Sequence, residues 1–183
     1  MNRKVEDVHL IFLCKQHNAK AQMQLYDKYC DAMFKVAVRY VNDAYIAEDI
    51  MQESFLKAFT KISDFNTANT FGGWLKRIVI NQALDWLKEK KLNQESFNES
   101  HFKIIEHKEK DMLIDINESV EAIYKAINKL PEQFKLVLKL FLLEGYDHNE
   151  ISSILNITNV ASRTILHRGK QKLLAQLKEK RYA

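Results

Sequence analysis

Residues 150–174, EISSILNITNVASRTILHRGKQKLL, read as a helix-turn-helix, and this stretch decides the fold of the whole chain. Ile151, Ile154 and Leu155 recur at helical spacing on a short first helix. Asn156 then supplies a residue that tolerates the left-handed backbone of a tight turn, and Thr158 has the hydroxyl to cap the second helix. On that helix Ile165, Leu166, Leu173 and Leu174 form an apolar stripe, and the same periodicity turns Arg163, Thr164, His167, Arg168 and Lys170 away from the core. Arg reads guanine in the major groove, and Thr or His reaches other base edges or phosphates. Duplex DNA is the partner this face suits.

Charge supports that reading over an amphipathic helix with a merely solvated face. From Asn159 to Ala183 seven Lys or Arg stand against one acid, Glu179, whereas the net charge of all 183 residues is only +4. A solvated helix face usually interleaves both signs.

The remaining sequence is that of an all-α protein. One Pro and four Gly in 183 residues, 46% hydrophobic content and few alternating β-branched runs indicate long helices with real cores. Pro131 falls where a helix begins, the position at which a missing amide costs least. No stretch approaches the ~20 continuous apolar residues of a membrane span. The start MNRKVEDVHL lacks the apolar core of a signal peptide, so no membrane insertion and a cytoplasmic location are expected. Cys14 and Cys30 have neither the number nor the spacing of a disulfide framework or zinc knuckle, and both are read as buried thiols.

Charge and periodicity divide the chain at an acidic stretch. Asn93 to Glu121 holds eight acids against three lysines, and its start, NQESFNES, has no helical pattern. Residues 93–117 are therefore read as a linker between domains at 1–92 and 118–183. Helices are expected at about 2–17, 19–42, 44–63 and 71–92, then at 119–129 and 132–144 before the helix-turn-helix, with Gly145 as a C-cap residue. Leu25, Tyr29, Ala32, Met33, Val36 and Tyr40 give the second helix a core stripe, and Ile50, Phe55, Phe59 and Ile62 do so on the third.

A second informative segment is FNTANTFGGWLKRIVINQALDWLK, Phe65 to Lys88. Phe71, Trp74, Leu75 and Ile78 suit the core, while Lys76, Arg77 and Asn81 can meet a nucleic-acid backbone or an unpaired base. Phe65 is expected to make contact as well. Aromatics beside cations and amides are the composition that holds single-stranded bases by stacking and edge hydrogen bonds.

Two groups of motifs carry a specific resemblance. AEDIMQESFLKAF (Ala47 to Phe59), Phe65, FGGWLKRIVIN and Asp85 resemble region 2 of bacterial RNA polymerase sigma factors of the extracytoplasmic-function group. LPEQFKLVLKLFLLEGYDHNEISSILNITNVASRTILHRGKQKL resembles region 4 of the same group, and the two lie in the family's order and spacing. The resemblance implies a four-helix region 2 and a helix-turn-helix region 4 joined by the acidic linker. It implies that Asp49, Gln52, Glu53 and Phe55 meet core RNA polymerase. Asp49, Gln52 and Glu53, at i, i+3 and i+4, share one helix face, and no His or further carboxylate nearby has metal-ligand spacing. It implies that Phe65, Asn66, Asn69 and Asn81 hold a base flipped from the −10 element, with Lys76 and Arg77 on phosphates, and that Arg163, Thr164, His167 and Arg168 read the −35 element as duplex, beside Lys170. Promoter DNA, core polymerase and an anti-sigma factor are the implied partners. Three positions depart from the family's usual pattern: Ser162 stands where Val is common, Ile165 where Arg is common, and Asn156 where a turn Gly is common.

Two other functional classes make different demands. A freestanding helix-turn-helix regulator would bind a palindromic duplex without polymerase. A nucleic-acid-processing enzyme would need a phosphate loop, a nucleophile with its base, or a metal-spaced acidic cluster, and the sequence offers none, so no catalytic residue, cofactor or metal is expected.

Overall fold

The structure is a computed structural model, and it describes residues 3–66, 70–94 and 120–181. Among the described residues all regular structure is helical, as the composition requires. Contacts divide the chain into two compact units. Asn69 and the acidic stretch from 95 to 119 lie outside the described residues.

The first unit holds α1 (Arg3–Lys15), α2 (Ala19–Val41), α3 (Ala44–Thr60), a 3-10 turn (Ile62–Asp64) and α4 (Phe71–Gln94). Side chains set the helix boundaries. Asn18 Oδ1 accepts the Ala21 amide at 3.0 Å to start α2, and Asn42, at φ 54°, ends it. Asp43 comes next, its Oδ1 accepting the amides of Tyr45 at 3.0 Å and Ile46 at 3.2 Å. A left-handed Asn beside a capping Asp is thus the whole corner between α2 and α3.

Leu25, Met33, Val36, Ala37 and Tyr40 from α2 meet Ile50, Met51, Phe55 and Ala58 from α3 and Phe71, Leu75, Val79, Ile80 and Leu84 from α4 in one core. Ala32, expected inside, is exposed, and Ala37 takes its place; Phe59 is half-buried. Cys14 is buried as expected, but Cys30 is only partly so. α1 is fastened by Asp7, a largely buried carboxylate that accepts Lys28 Nζ at 2.7 Å and the Tyr29 hydroxyl at 2.5 Å. Burying a carboxylate is costly unless it is paired in this way.

Tyr29 leaves no room on its other side. Its ring packs 5.4 Å from that of Phe71, and a Cβ built on Gly72 would stand 2.8 Å from its Cε1. With the ring held by Asp7 and Phe71, Gly72→Ala should destabilise the unit by about 1–3 kcal/mol through overpacking. Trp74 and Trp86 both lie on α4, so urea unfolding followed by tryptophan fluorescence reports on this unit. An unchanged midpoint would show that the ring yields.

The second unit holds α5 (Val120–Asn128), α6 (Glu132–Leu138), a π-helical turn (Lys139–Leu143), α7 (His148–Leu155) and α8 (Asn159–Arg181). The helix expected over 132–144 is therefore two kinds of helix in succession. Pro131 precedes α6, and its carbonyl accepts the amides of Phe134 at 3.0 Å and Lys135 at 3.1 Å. At the far end Glu144 bonds five residues back to Lys139 at 3.2 Å, and Gly145 reverses the chain at φ 74°. Tyr146 then bonds six residues back to Leu140 at 3.0 Å, one residue further than in a Schellman turn, which matches the wider π turn that ends here. Phe134, Val137, Leu138 and Leu140 pack with Ile127, Ile151, Ile165, Leu166 and Leu173. α8 comes close to α6 at Gly169, where an added Cβ would lie 3.2 Å from Leu138.

Lys139, on the π turn, is only 2% exposed, with Nζ 5.5 Å from the Tyr124 ring centre. Burial, reinforced by the positive charge of Lys135, lowers its pKa from 10.5 to about 8. A lowered amine pKa means that between pH 8 and 10.5 the unfolded chain holds a proton that the folded chain does not, so stability rises with pH across that window. The urea midpoint by far-UV circular dichroism should therefore climb from about pH 8 to about pH 10, and Lys139→Met should flatten that climb. Parallel pH slopes in the two proteins would show that the charge is already well solvated.

Candidate nucleic-acid interface

The helix-turn-helix is built by polar side chains at each of its corners. Asp147 caps α7, its Oδ1 accepting the amides of Asn149 at 2.7 Å and Glu150 at 2.8 Å, while Glu150 Oε2 accepts the Asp147 amide at 3.0 Å. This capping box is legible in the sequence as Asp-His-Asn-Glu. Asn156 ends α7 at φ 54°, and Thr158 Oγ1 accepts the Ala161 amide at 3.0 Å to begin α8. Both residues take the roles expected from the sequence.

Within the turn, Ile165, Leu166 and Leu173 are buried and Leu174 is half-buried. Ser162 is fully buried yet satisfied: its Oγ lies 2.9 Å from His148 Nδ1, so a polar contact between α7 and α8 stands where an apolar one is common. The His148 ring packs 5.1 Å from that of Phe141, and Lys170 Nζ lies 5.4 Å from the Phe141 centre.

The outward row is present on α8. Arg163 is exposed, and Thr164, His167, Arg168 and Lys170 are partly exposed. Arg163 Nε donates to Asn159 Oδ1 at 2.9 Å, and Asn159 Nδ2 donates to Asn149 Oδ1 at 2.7 Å. His167 Nε2 lies 3.1 Å from Gln171 Nε2, and the Thr164 hydroxyl donates to the Val160 carbonyl at 3.0 Å.

In the first unit an aromatic cluster lies at the start of α4. Phe65 stands edge-on to Trp74, with centres 5.4 Å apart at 61°, and to Phe71, 5.9 Å apart at 73°. Phe65 is 5% exposed, so the expectation that its ring faces a ligand is corrected: edge-to-face packing with two neighbours places it in the floor. Asn66, the next residue, is exposed. Thr70 Oγ1 accepts the Gly73 amide at 3.2 Å and starts α4. Along α4, Arg77 and Asn81 are exposed one turn apart and Lys76 is partly exposed, whereas Leu75 and Val79 are buried. Arg77 and Asn81 thus share one face of α4, with Lys76 to its side, on a helix whose first turn carries aromatic rings.

A third surface lies on α3. Asp49, Gln52 and Glu53 are exposed together, and Phe55, grouped with them by the resemblance, is not on that face. Phe55 is 2% exposed and packs 4.8 Å from Tyr26, so it supports the face from inside. Glu53 Oε2 accepts Gln82 Nε2 at 2.9 Å and Gln82 Oε1 accepts Lys57 Nζ at 3.1 Å, tying α3 to α4. Tyr45 and Leu56, which the sequence motifs did not single out, are 84% and 68% exposed on the same helix. Spacings of four, three and four residues align Tyr45, Asp49, Gln52 and Leu56 in one stripe. Among the described residues no group of three His, Cys, Asp or Glu could hold a metal ion, and no helix is long and apolar enough to cross a membrane.

Comparison with known proteins places both units. Residues 25–92 match the family model for Sigma-70 region 2, and residues 120–173 that for Sigma-70, region 4. The ECF RNA polymerase sigma factor SigW of Bacillus subtilis is 29% identical over 174 residues, 90% of this chain and 93% of that protein. The ECF RNA polymerase sigma-E factor of Haemophilus influenzae is 28% identical over 182 residues, 93% of this chain and 95% of that protein. Of solved structures, CnrH in complex with the cytosolic domain of CnrY is similar in fold, with a TM-score of 0.55 at 20% identity over 94% of this chain and 97% of that one. The sigma factor RpoE in complex with the anti-sigma factor NepR from Bartonella quintana has a TM-score of 0.55 at 21% identity over 85% of this chain and 96% of that one. With both regions matched in order on the two helical units, the chain belongs to the RNA polymerase sigma-70 family, in its extracytoplasmic-function group.

Proposed function

We propose that this chain is a dissociable specificity subunit that binds core RNA polymerase, reads the −35 element as duplex and holds the −10 element as melted single strand. The observation that carries the reading is that the chain holds two different DNA-suited surfaces: a helix-turn-helix with Arg163 and Arg168 outward, and an aromatic cluster at the start of α4 with Lys76, Arg77 and Asn81 further along that helix. The first is shaped for stacked base pairs and the second for unstacked bases. Asp49, Gln52 and Glu53 supply the acidic face for a basic helix of the polymerase. Catalysis stays with the polymerase; the subunit supplies position and melting. It works in the cytoplasm, and a protein inhibitor of the anti-sigma class is the expected regulator.

Energetically, unpairing and flipping a base costs a few kcal/mol, which stacking and edge hydrogen bonds in a shaped pocket offset. Phe65 serves this step as a buried support next to Asn66, and Asn81 as the amide that bonds a base edge. Arg77 and Lys76 hold the phosphates on either side.

Asn81→Ala should slow promoter opening about tenfold, the scale of one lost base contact. The matching measurement is permanganate footprinting of −10 thymines with wild-type and variant holoenzyme, beside a polymerase-binding assay. Reduced opening with unchanged polymerase binding is expected. Loss of activity solely through failure to bind polymerase would move Asn81 off the DNA.

A further inference from the structure

We propose that Asn159 and Asn149 are positioning residues for Arg163, so that the base preference of the helix-turn-helix depends on two amides as well as on the arginine. The inference rests on the reading that α8 faces the −35 duplex. Arg163 is the exposed member of the outward row, and a long side chain on an exposed helix face samples many rotamers. Here Nε is held on Asn159 Oδ1 at 2.9 Å, one helical turn before it. Asn159 stands in the first turn of α8, next to the capping Thr158, where its backbone is already fixed.

An amide can present either of two ends, and the donor-only Nε of Arg163 accepts only the oxygen end of Asn159, which leaves the nitrogen end for Asn149. Asn149 Oδ1 accepts from Asn159 Nδ2 at 2.7 Å, so the nitrogen of Asn159 faces α7 and its oxygen faces Arg163. The reversed amide would set oxygen against oxygen on one side and N–H against N–H on the other. Asn149 is held in turn by the cap of α7, its backbone N–H donating to Asp147 Oδ1 at 2.7 Å. Asn149 thus anchors Asn159, and Asn159 holds Arg163, which ties a base-reading side chain on α8 to the capped start of α7. Preorganising a bidentate donor lowers the ordering cost of the correct contact and withholds that gain from rotamers that suit a wrong base.

The test uses the full chain with core polymerase on duplex promoters randomised through the −35 element, with bound and unbound pools sequenced. Asn159→Ala should lower discrimination at the one base position that Arg163→Ala also affects, by about tenfold, and leave the other positions unchanged. The double variant should lose little beyond Arg163→Ala alone. Asn159→Asp, which keeps an acceptor oxygen toward Arg163 and can accept from Asn149 Nδ2 once that amide turns over, should restore discrimination relative to Asn159→Ala. In the free protein, 15N relaxation at Arg163 Nε should show a higher order parameter in wild type than in Asn159→Ala or Asn149→Ala. If Arg163→Ala erases discrimination at one position and Asn159→Ala leaves it intact, the positioning role is overturned while the duplex-reading role of α8 stands. If Arg163→Ala leaves discrimination intact at every position, the reading of α8 itself fails and the positioning role falls with it.

Discussion

A chain carrying Asp49→Lys and Gln52→Lys should lose affinity for core RNA polymerase about 100-fold or more and support no promoter-directed transcription, while staying folded. Both side chains are exposed on α3, Gln52 Nε2 donates to Glu48 Oε1 on the same helix at 3.3 Å, and the core beneath is made by Ile50, Met51, Phe55 and Ala58. Surface changes of this kind usually alter stability by less than about 0.5 kcal/mol. Placing two lysines against a basic partner helix, by contrast, exchanges attraction for repulsion, and like charges across an interface cost several kcal/mol. Glu53 is left untouched because its carboxylate also holds Gln82 on α4, so changing it would mix a binding effect with a packing one. Titration of labelled core polymerase with wild type and variant measures the loss, and unfolding curves that superimpose confirm that the fold is intact. Unchanged polymerase affinity would remove α3 from the interface.

The second large effect is expected from Arg163→Ala combined with Arg168→Ala. Each arginine that makes a bidentate contact to guanine contributes about 1–3 kcal/mol of discrimination, so the pair should account for about 100-fold or more between a correct and a scrambled −35 element. Neither residue belongs to the core that holds α8 in place, which is formed by Ile165, Leu166, Leu173 and Leu177. Competition binding of holoenzyme to the two duplexes at several salt concentrations separates two roles. Loss of discrimination at an unchanged salt slope identifies base reading. Uniform weakening with a shallower slope, by about 0.9 for each lost phosphate contact, identifies backbone contact instead. Full retention of affinity and discrimination would contradict the assignment.

Much of this fold was legible because its decisive signals are local. Asn156 announces the turn, Thr158 announces a helix start, and Pro131 and Gly145 bracket a helical segment; each acts on backbone within a few residues and needs no partner distant in sequence, and the Asp147 capping box is a local signal of the same kind, absent from the expectations drawn from sequence. The π turn at Lys139–Leu143 was not legible. KLFLL carries no local mark of a wider turn, and the burial of Lys139 within it is a tertiary fact. Phe65 was not legible as a buried ring for a related reason, whereas Phe55 was already read into the core stripe of α3. A motif records which positions matter to a surface without saying whether the side chain forms the surface or supports it, and aromatic packing settled the second for Phe65. Ser162 shows the reverse case, a polar residue at a core position whose partner, His148, sits fourteen residues earlier on another helix. Cross-helix hydrogen bonds of this kind, including Asn159 to Asn149 and Tyr29 to Asp7, carry no periodic signature that sequence alone could offer.

The proposed role is that one small chain gives core polymerase a two-part address on DNA. Transcription in vitro with purified core polymerase, with and without this protein, on a library of promoter fragments tests it most directly. The expected result is a limited set of transcripts, absent with core alone, whose start sites share a duplex element and a separately spaced downstream element. No promoter-specific transcripts, together with tight binding of a palindromic duplex by the protein alone, would contradict it.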